Sequence, residues 1–284
     1  MTTSISNTFS FSRLLMVMKR DLVENWKSDF NELLSLYGAF LISALMSYVT
    51  INDMVDSSVY FSYRLGFYIA TGLITYFIFH IAAGNVMSVL HTKEKRISYL
   101  MLPATKAEKF VSRAIQAIVG TLVKVIIALF LAEITRLMLF PLLGAPEALQ
   151  QFCLFDFNDI FLKGSFLNGI ENIENRRLMY LAVFNVFSGI MVTHSLFILG
   201  GTYFYKRPII KTFGWIILGI TALSFIAGYF GTRSYRAEID ETTLIIASTT
   251  FNLFIATICW GLSYFLFTRS QVTERVNFKF LKRK

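Results

Sequence analysis

Apolar residues in this chain gather in long blocks rather than alternating or falling into narrow stripes. A helix that crosses a bilayer needs ~20 mostly apolar residues. Six stretches meet that length: 33–51, 65–90, 114–143, 178–205, 209–230 and 244–268. Strands of a membrane barrel run ~9–11 residues with alternating character, which this pattern excludes. The predicted class is an all-α polytopic membrane protein with six spans.

A different periodicity precedes the first block. Phe11, Leu15, Met18, Leu22 and Trp26 recur at spacings of three and four, which is one face of a helix. Arg13, Lys19, Arg20, Glu24 and Lys27 fall mostly elsewhere on the wheel. An amphipathic helix with Trp and basic residues beside a spanning helix is expected to lie in the membrane interface, in contact with lipids. The other reading is a cytosolic helix packed on a soluble partner. Residues 1–32 hold no apolar run of ~7–15 residues before a small-residue cleavage site, so the first span is expected to act as its own insertion signal.

Between the second and third blocks, residues 91–113 read as two short helices with a break. A charged turn starts the first at Lys93. Pro103 lacks an amide proton and disfavours helix at Leu102, so the first helix is expected to stop there. Thr105 followed three residues later by Glu108 is a capping box, which starts the second helix at Lys106 and runs it into the third span. Tyr99, Leu100 and Met101 beside Lys95 and Arg96 have the composition of a docking knob. A solvated hairpin that only turns the chain is the alternative.

Composition agrees with the block pattern. The chain is 55% hydrophobic and 16% charged, whereas soluble domains carry about 25% charged residues. The net charge of +9 raises the question of nucleic acid, but its distribution points elsewhere. With both termini inside, the inner segments 1–32, 91–113, 206–211 and 269–284 hold nineteen Lys and Arg; the outer segments 52–64, 144–177 and 232–243 hold six. Ten of the eighteen acidic residues lie in those outer segments. This is a topology signal and an attraction to anionic lipid, and it removes nucleic acid as an expected partner. Cys153 and Cys259 lie far apart, with no metal or disulfide spacing.

The loop 91–113 resembles a signature of ABC transporter permease subunits of the type 2, exporter-like family. Lys93-Glu94-Lys95-Arg96 stands where that family has a charged run. Leu100-Met101-Leu102-Pro103-Ala104-Thr105 is similar to its Leu-Leu-x-x-Pro-x-Ser/Thr region, and Arg113 matches a later basic residue. Two features depart from the family: Ile97-Ser98 replaces a glycine, and the connection after the fifth block is short and charged. The resemblance implies an elbow helix at 11–26, six spans, and a coupling helix whose Lys95, Arg96, Tyr99, Leu100, Met101 and Pro103 contact a separate ATPase subunit. It also implies a second permease chain and a bacterial cytoplasmic membrane.

Charged or titratable residues inside the blocks are candidates for a transport path. Lys124 lies ten residues past 114, so about 15 Å deep at ~1.5 Å per residue; His80 and His194 sit at comparable depth from their own block ends. The three could form a basic layer facing an anionic substrate group, or be a snorkelling lysine and two neutral histidines bonded to carbonyls. Glu133 and Arg136, three apart, are expected as an interfacial ion pair. Gly200-Gly201, and Gly228 with Gly231, are expected to admit close helix approach. The aromatic, acidic run 152–161 in the loop 144–177 reads as an interfacial belt or a lid.

No Walker A run, His-Glu-x-x-His or Gly-x-Ser-x-Gly is present. The chain is therefore expected to be no enzyme, with no cofactor and no metal. Two functions remain in view: a permease subunit driven by a separate ATPase, and a non-transporting membrane protein such as an immunity, assembly or sensory subunit.

Overall fold

The computed structural model of the protein describes residues 9–49, 59–150, 152, 173–204, 206–231 and 241–269. Among them the regular structure is all helical: α1 Phe11–Val49, α2 Val59–Gly84, α3 Lys93–Leu100, α4 Lys106–Ile115, α5 Thr121–Leu142, α6 Ile173–Tyr203, α7 Pro208–Gly231 and α8 Glu241–Thr268. A π-helical turn, Gln116–Gly120, joins α4 to α5, so one rod runs from Lys106 to Leu142 as the capping pattern predicts. Cys153, Asn158, the run 153–161 and the basic tail 270–284 lie outside the described residues.

Five helices are long and apolar enough to cross a membrane: Phe11–Val49, Tyr63–Leu90, Lys106–Leu142, Arg177–Tyr203 and Glu241–Thr268. The expected fifth block is helical too, as α7, with an apolar stretch described over Pro208–Ala222. The expected boundary between an elbow helix and the first span is absent. Residues 11 to 49 form one helix of 39 residues. The reason is local: this stretch holds no proline and only Gly38, so nothing interrupts the hydrogen-bond ladder.

The chain divides into two compact units, Met1–Arg20 with His80–Ile118 and Arg176–Lys284, and Asp21–Phe79 with Val119–Asn175. In the first, Val17, Met87, Tyr99, Phe110, Phe197, Ile198 and Phe267 form a buried core. Helices α6 and α8 pair through polar side chains. The Asn185 amide donates to the hydroxyls of Ser248 and Thr249, and the Asn252 amide to Ser188 Oγ (3.0 Å). Each partner lies 63 or 64 residues further on, so the two helices run parallel. A side chain at Gly200 or Gly201 would collide with a neighbour. A Cβ on Gly200 would meet Thr212 Cβ at 2.8 Å, and one on Gly201 would meet the Gly84 carbonyl carbon at 3.0 Å. The expected close approach is therefore real, and it brings α6 against α7 and α2. Gly228 and Gly231 lie outside the described side chains.

The second unit packs Leu36 and Phe40 of α1 on Val125, Ala128 and Ala132 of α5. Tyr63, Phe67, Phe140, Ala145 and Leu149 form a second cluster. Glu133 and Arg136 form the expected ion pair, and both side chains are fully enclosed by the protein. Arg136 donates to both carboxylate oxygens of Glu133, at 2.8 and 2.7 Å, and to the Leu149 carbonyl. Its guanidinium also lies 5.0 Å from the Phe140 ring and 5.8 Å from Tyr63. The short turn Glu147–Gln150 folds back and supplies the carbonyl that keeps this charge from the surface.

Candidate functional site

The hairpin 93–113 is built from two local caps. The Thr92 hydroxyl accepts from Lys95 N–H at 3.4 Å and opens α3. At Thr105, both halves of the capping box are present: Glu108 N–H donates to the hydroxyl (3.2 Å), and the Glu108 carboxylate accepts from Thr105 N–H (2.8 Å). Between them α3 ends at Leu100, two residues before the position that Pro103 forbids. The Leu100 carbonyl, left without a helical partner, accepts from Lys109 Nζ at 2.7 Å. Such orphan carbonyls at a helix end require an outside donor or water.

This local folding divides the expected docking residues into two sets. Tyr99 is 2% exposed; its hydroxyl donates to the Lys109 carbonyl at 2.7 Å, and the Arg113 guanidinium sits 5.1 Å from its ring. Arg96 is buried as well. Tyr99 holds α3 to α4, and neither buried side chain offers a free tip to a partner, which corrects the expectation. The physical reason is geometric: in a helix of eight residues only one face can turn outward, and the ring is enclosed by Val17, Phe110 and their neighbours. Leu100 is half-buried. Ile97, Met101, Lys95 and Pro103 are exposed, and Met101 is the most open of them at 71%.

The start of α1 lies against the same hairpin. Glu108 Oε1 accepts from Ser10 N–H (2.6 Å) and from Arg13 Nε and Nη2 (3.2 and 2.9 Å). Arg20 donates to Ser98 Oγ at 2.7 Å, and Val17 joins the cluster around Tyr99. Glu108 is wholly buried. Burial pushes its carboxyl up, but the N–H groups of Ser10 and Thr105 together with Arg13 outweigh this and hold it below the usual carboxylate range. Its contribution to stability is therefore present above that range and is lost only as pH falls through the lowered value. Burial and the nearby Lys106 push the Lys109 ammonium down. Lys106 itself donates to the Thr268 carbonyl, which ties the end of α8 to the hairpin, and the Phe110 ring packs on Tyr264 and Phe267 at 5.3 and 5.7 Å.

The other face of the α1 start is open. Phe11, Leu15, Leu22 and Trp26 are exposed and Met18 is half-buried, while Leu14, Val17 and Asp21 face inward. The apolar stripe read from the sequence is thus directed away from the protein.

The candidate pathway residues fall in both compact units. His80 Nε2 lies 2.7 Å from Thr193 Oγ1, and the His80 and His194 ring centroids are 6.2 Å apart. Lys124 belongs to the other unit, where it pairs with Asp29 at 3.1 Å and with Glu32. Two carboxylates balance its charge, in place of the snorkelling or substrate-facing ammonium that spacing alone suggested. Among the described residues, no three His, Cys, Asp or Glu side chains gather as a metal site. Sequence reasoning missed the Arg13–Glu108 and Lys124–Asp29 contacts. The one signal for the second was Asp29 and Glu32, three apart at the edge of an apolar block.

No family model matches this chain, and neither a curated protein nor a solved structure does.

Proposed function

We propose that this chain is the permease subunit of an ATP-driven, ABC-type exporter, powered by a separate ATPase chain and paired with a second permease chain. In this reading it sits in the bacterial cytoplasmic membrane with the hairpin on the cytoplasmic side. The observation that carries the reading is the divided hairpin. Ile97 stands exposed on α3 beside Lys95, with Met101 and Pro103 exposed just past its end, and the opposite face of α3 is locked to the rod 106–142 through Tyr99, Lys109 and Arg113. A coupling element needs an exposed tip that a partner can seize and a rigid root that carries the push into the membrane. A loop that only reversed the chain would need neither.

Six spans belong to the same reading, and the parallel run of α6 and α8 supports it. Because α6 and α8 run parallel, α7 has to return the chain across the depth they share. At ~1.5 Å per residue, its 24 residues reach about 36 Å, enough for a hydrocarbon core of ~30 Å. A single cysteine at Lys206 and one at Glu241 should then react with impermeant reagents from opposite sides of the membrane. Same-side reaction would overturn the six-span reading. The outward stripe of α1 has lipid as its expected neighbour, since it continues along the helix through Phe30, Leu34, Ile42 and Met46, all exposed.

The functional test is capture. The tagged chain, expressed with its genomic neighbours, should co-purify a protein bearing a Walker A motif and raise its ATP hydrolysis on reconstitution. Burying two apolar side chains contributes about 3–6 kcal/mol before ordering costs. Ile97→Asp with Met101→Asp should therefore weaken capture roughly 100-fold or more, because a carboxylate would be forced into an apolar site. A wild-type chain that captures no ATPase sinks the permease reading.

A further inference from the structure

Glu108 does two tasks that sequence spacing shows only one of. Its Oε2 closes the capping box at Thr105, which fixes where the rod 106–142 begins. Its Oε1 gathers the Ser10 N–H and two nitrogens of Arg13, which fixes where α1 begins. The carboxylate is wholly buried and Arg13 is 22% exposed, so the pair is screened little by salt. Charge-assisted bonds of this kind are about twice as strong as neutral ones. Among the described residues, Arg20–Ser98, an exposed contact, and the packing of Val17 add to the attachment.

We infer that Glu108 is a positioning residue, the joint that fastens the first turns of α1 to the hairpin so that displacement of the hairpin draws α1 with it. Helix α1 continues unbroken to Val49. This deepens the permease reading and rests on it for its purpose: the side chain that starts the coupling rod also grips the outward, apolar-striped helix. The joint itself is a property of the isolated chain.

Glu108→Gln separates the two tasks. Glutamine at this helix position still closes a capping box, but it carries no charge for Arg13. Labels at Met16→Cys and Glu94→Cys, both exposed positions, in a chain with Cys153→Ser and Cys259→Ser, report the separation of α1 from α3 by pulsed electron paramagnetic resonance. The parent should give one narrow distance. Glu108→Gln and Arg13→Gln should each lose it, the double variant should be no worse than either single one, and amide exchange protection over 93–105 should stay unchanged. With the ATPase present, the parent should keep its narrow distance whether or not nucleotide is bound, because hairpin and helix move together, and Glu108→Gln should retain capture without that fixed distance. A narrow distance retained in both single variants overturns the joint, even if the ATPase is captured. Loss of the distance in a chain that captures no ATPase upholds the joint and removes the permease reading instead.

Discussion

Glu133→Ala is expected to destabilise the protein more than any other single change considered. The substitution leaves the Arg136 guanidinium enclosed between Tyr63, Phe140 and the Leu149 carbonyl, with its two carboxylate bonds gone. Breaking a buried pair by removing one partner costs about 3–5 kcal/mol, because a charge remains without compensation. For a chain of this size, each kcal/mol moves the unfolding midpoint by about 2–4 °C, so the expected fall is on the order of 10 °C. The measurement is thermal unfolding of the purified chain in detergent, followed by tryptophan fluorescence. Replacing both members, Glu133→Leu with Arg136→Met, should recover much of the loss, since a well-packed apolar pair of similar volume is often no less stable than the ion pair. A midpoint unchanged in Glu133→Ala would mean that the pair is not enclosed as described.

Tyr99→Ala is expected to dismantle the hairpin rather than blunt its tip. Truncating a buried aromatic side chain costs about 3–5 kcal/mol, and here it also removes the ring beneath Arg113 and the hydroxyl that holds the Lys109 carbonyl. Residues 93–105 should then lose protection in amide exchange, and ATPase capture should fall with them. Tyr99→Phe keeps the ring and gives up one hydrogen bond, an effect of about 0.5–1.5 kcal/mol, so protection should be nearly intact. Met101→Ala should behave in the opposite way, with protection unchanged and capture weakened, because Met101 is 71% exposed. If Tyr99→Ala lost capture while protection held, Tyr99 would be a contact residue, and its assignment to the core would fall.

The contrast between Tyr99 and Met101 shows where sequence reasoning stops. Two residues apart on a short helix, they have similar claims to be apolar contact residues. Helical periodicity states that they point in different directions but not which one meets the protein. That was decided by Val17 and Phe110, which lie 82 residues before Tyr99 and 11 after it and close over its ring. The same ambiguity is general in membrane helices. Where lipid and protein interior are equally apolar, the hydrophobic pattern carries no information about which face is covered.

What the sequence determined by itself is the set of local elements, because their causes are local. The apolar blocks, the break near Pro103, the capping box of Thr105 and Glu108, and the glycine pair at Gly200-Gly201 each depend on side chains within a few residues. They appear in the fold close to where they were expected. The missing elbow boundary was legible too, since no breaker lies between Phe11 and Gly38. Only the tertiary structure decided which distant charges meet. Lys124 finds Asp29 and Glu32 across 95 and 92 residues, and Arg13 finds Glu108 across 95. A charge inside an apolar block has to be neutralised, but many carboxylates satisfy that demand equally well on paper. The choice among them belongs to the helix packing that brings one within about 3 Å.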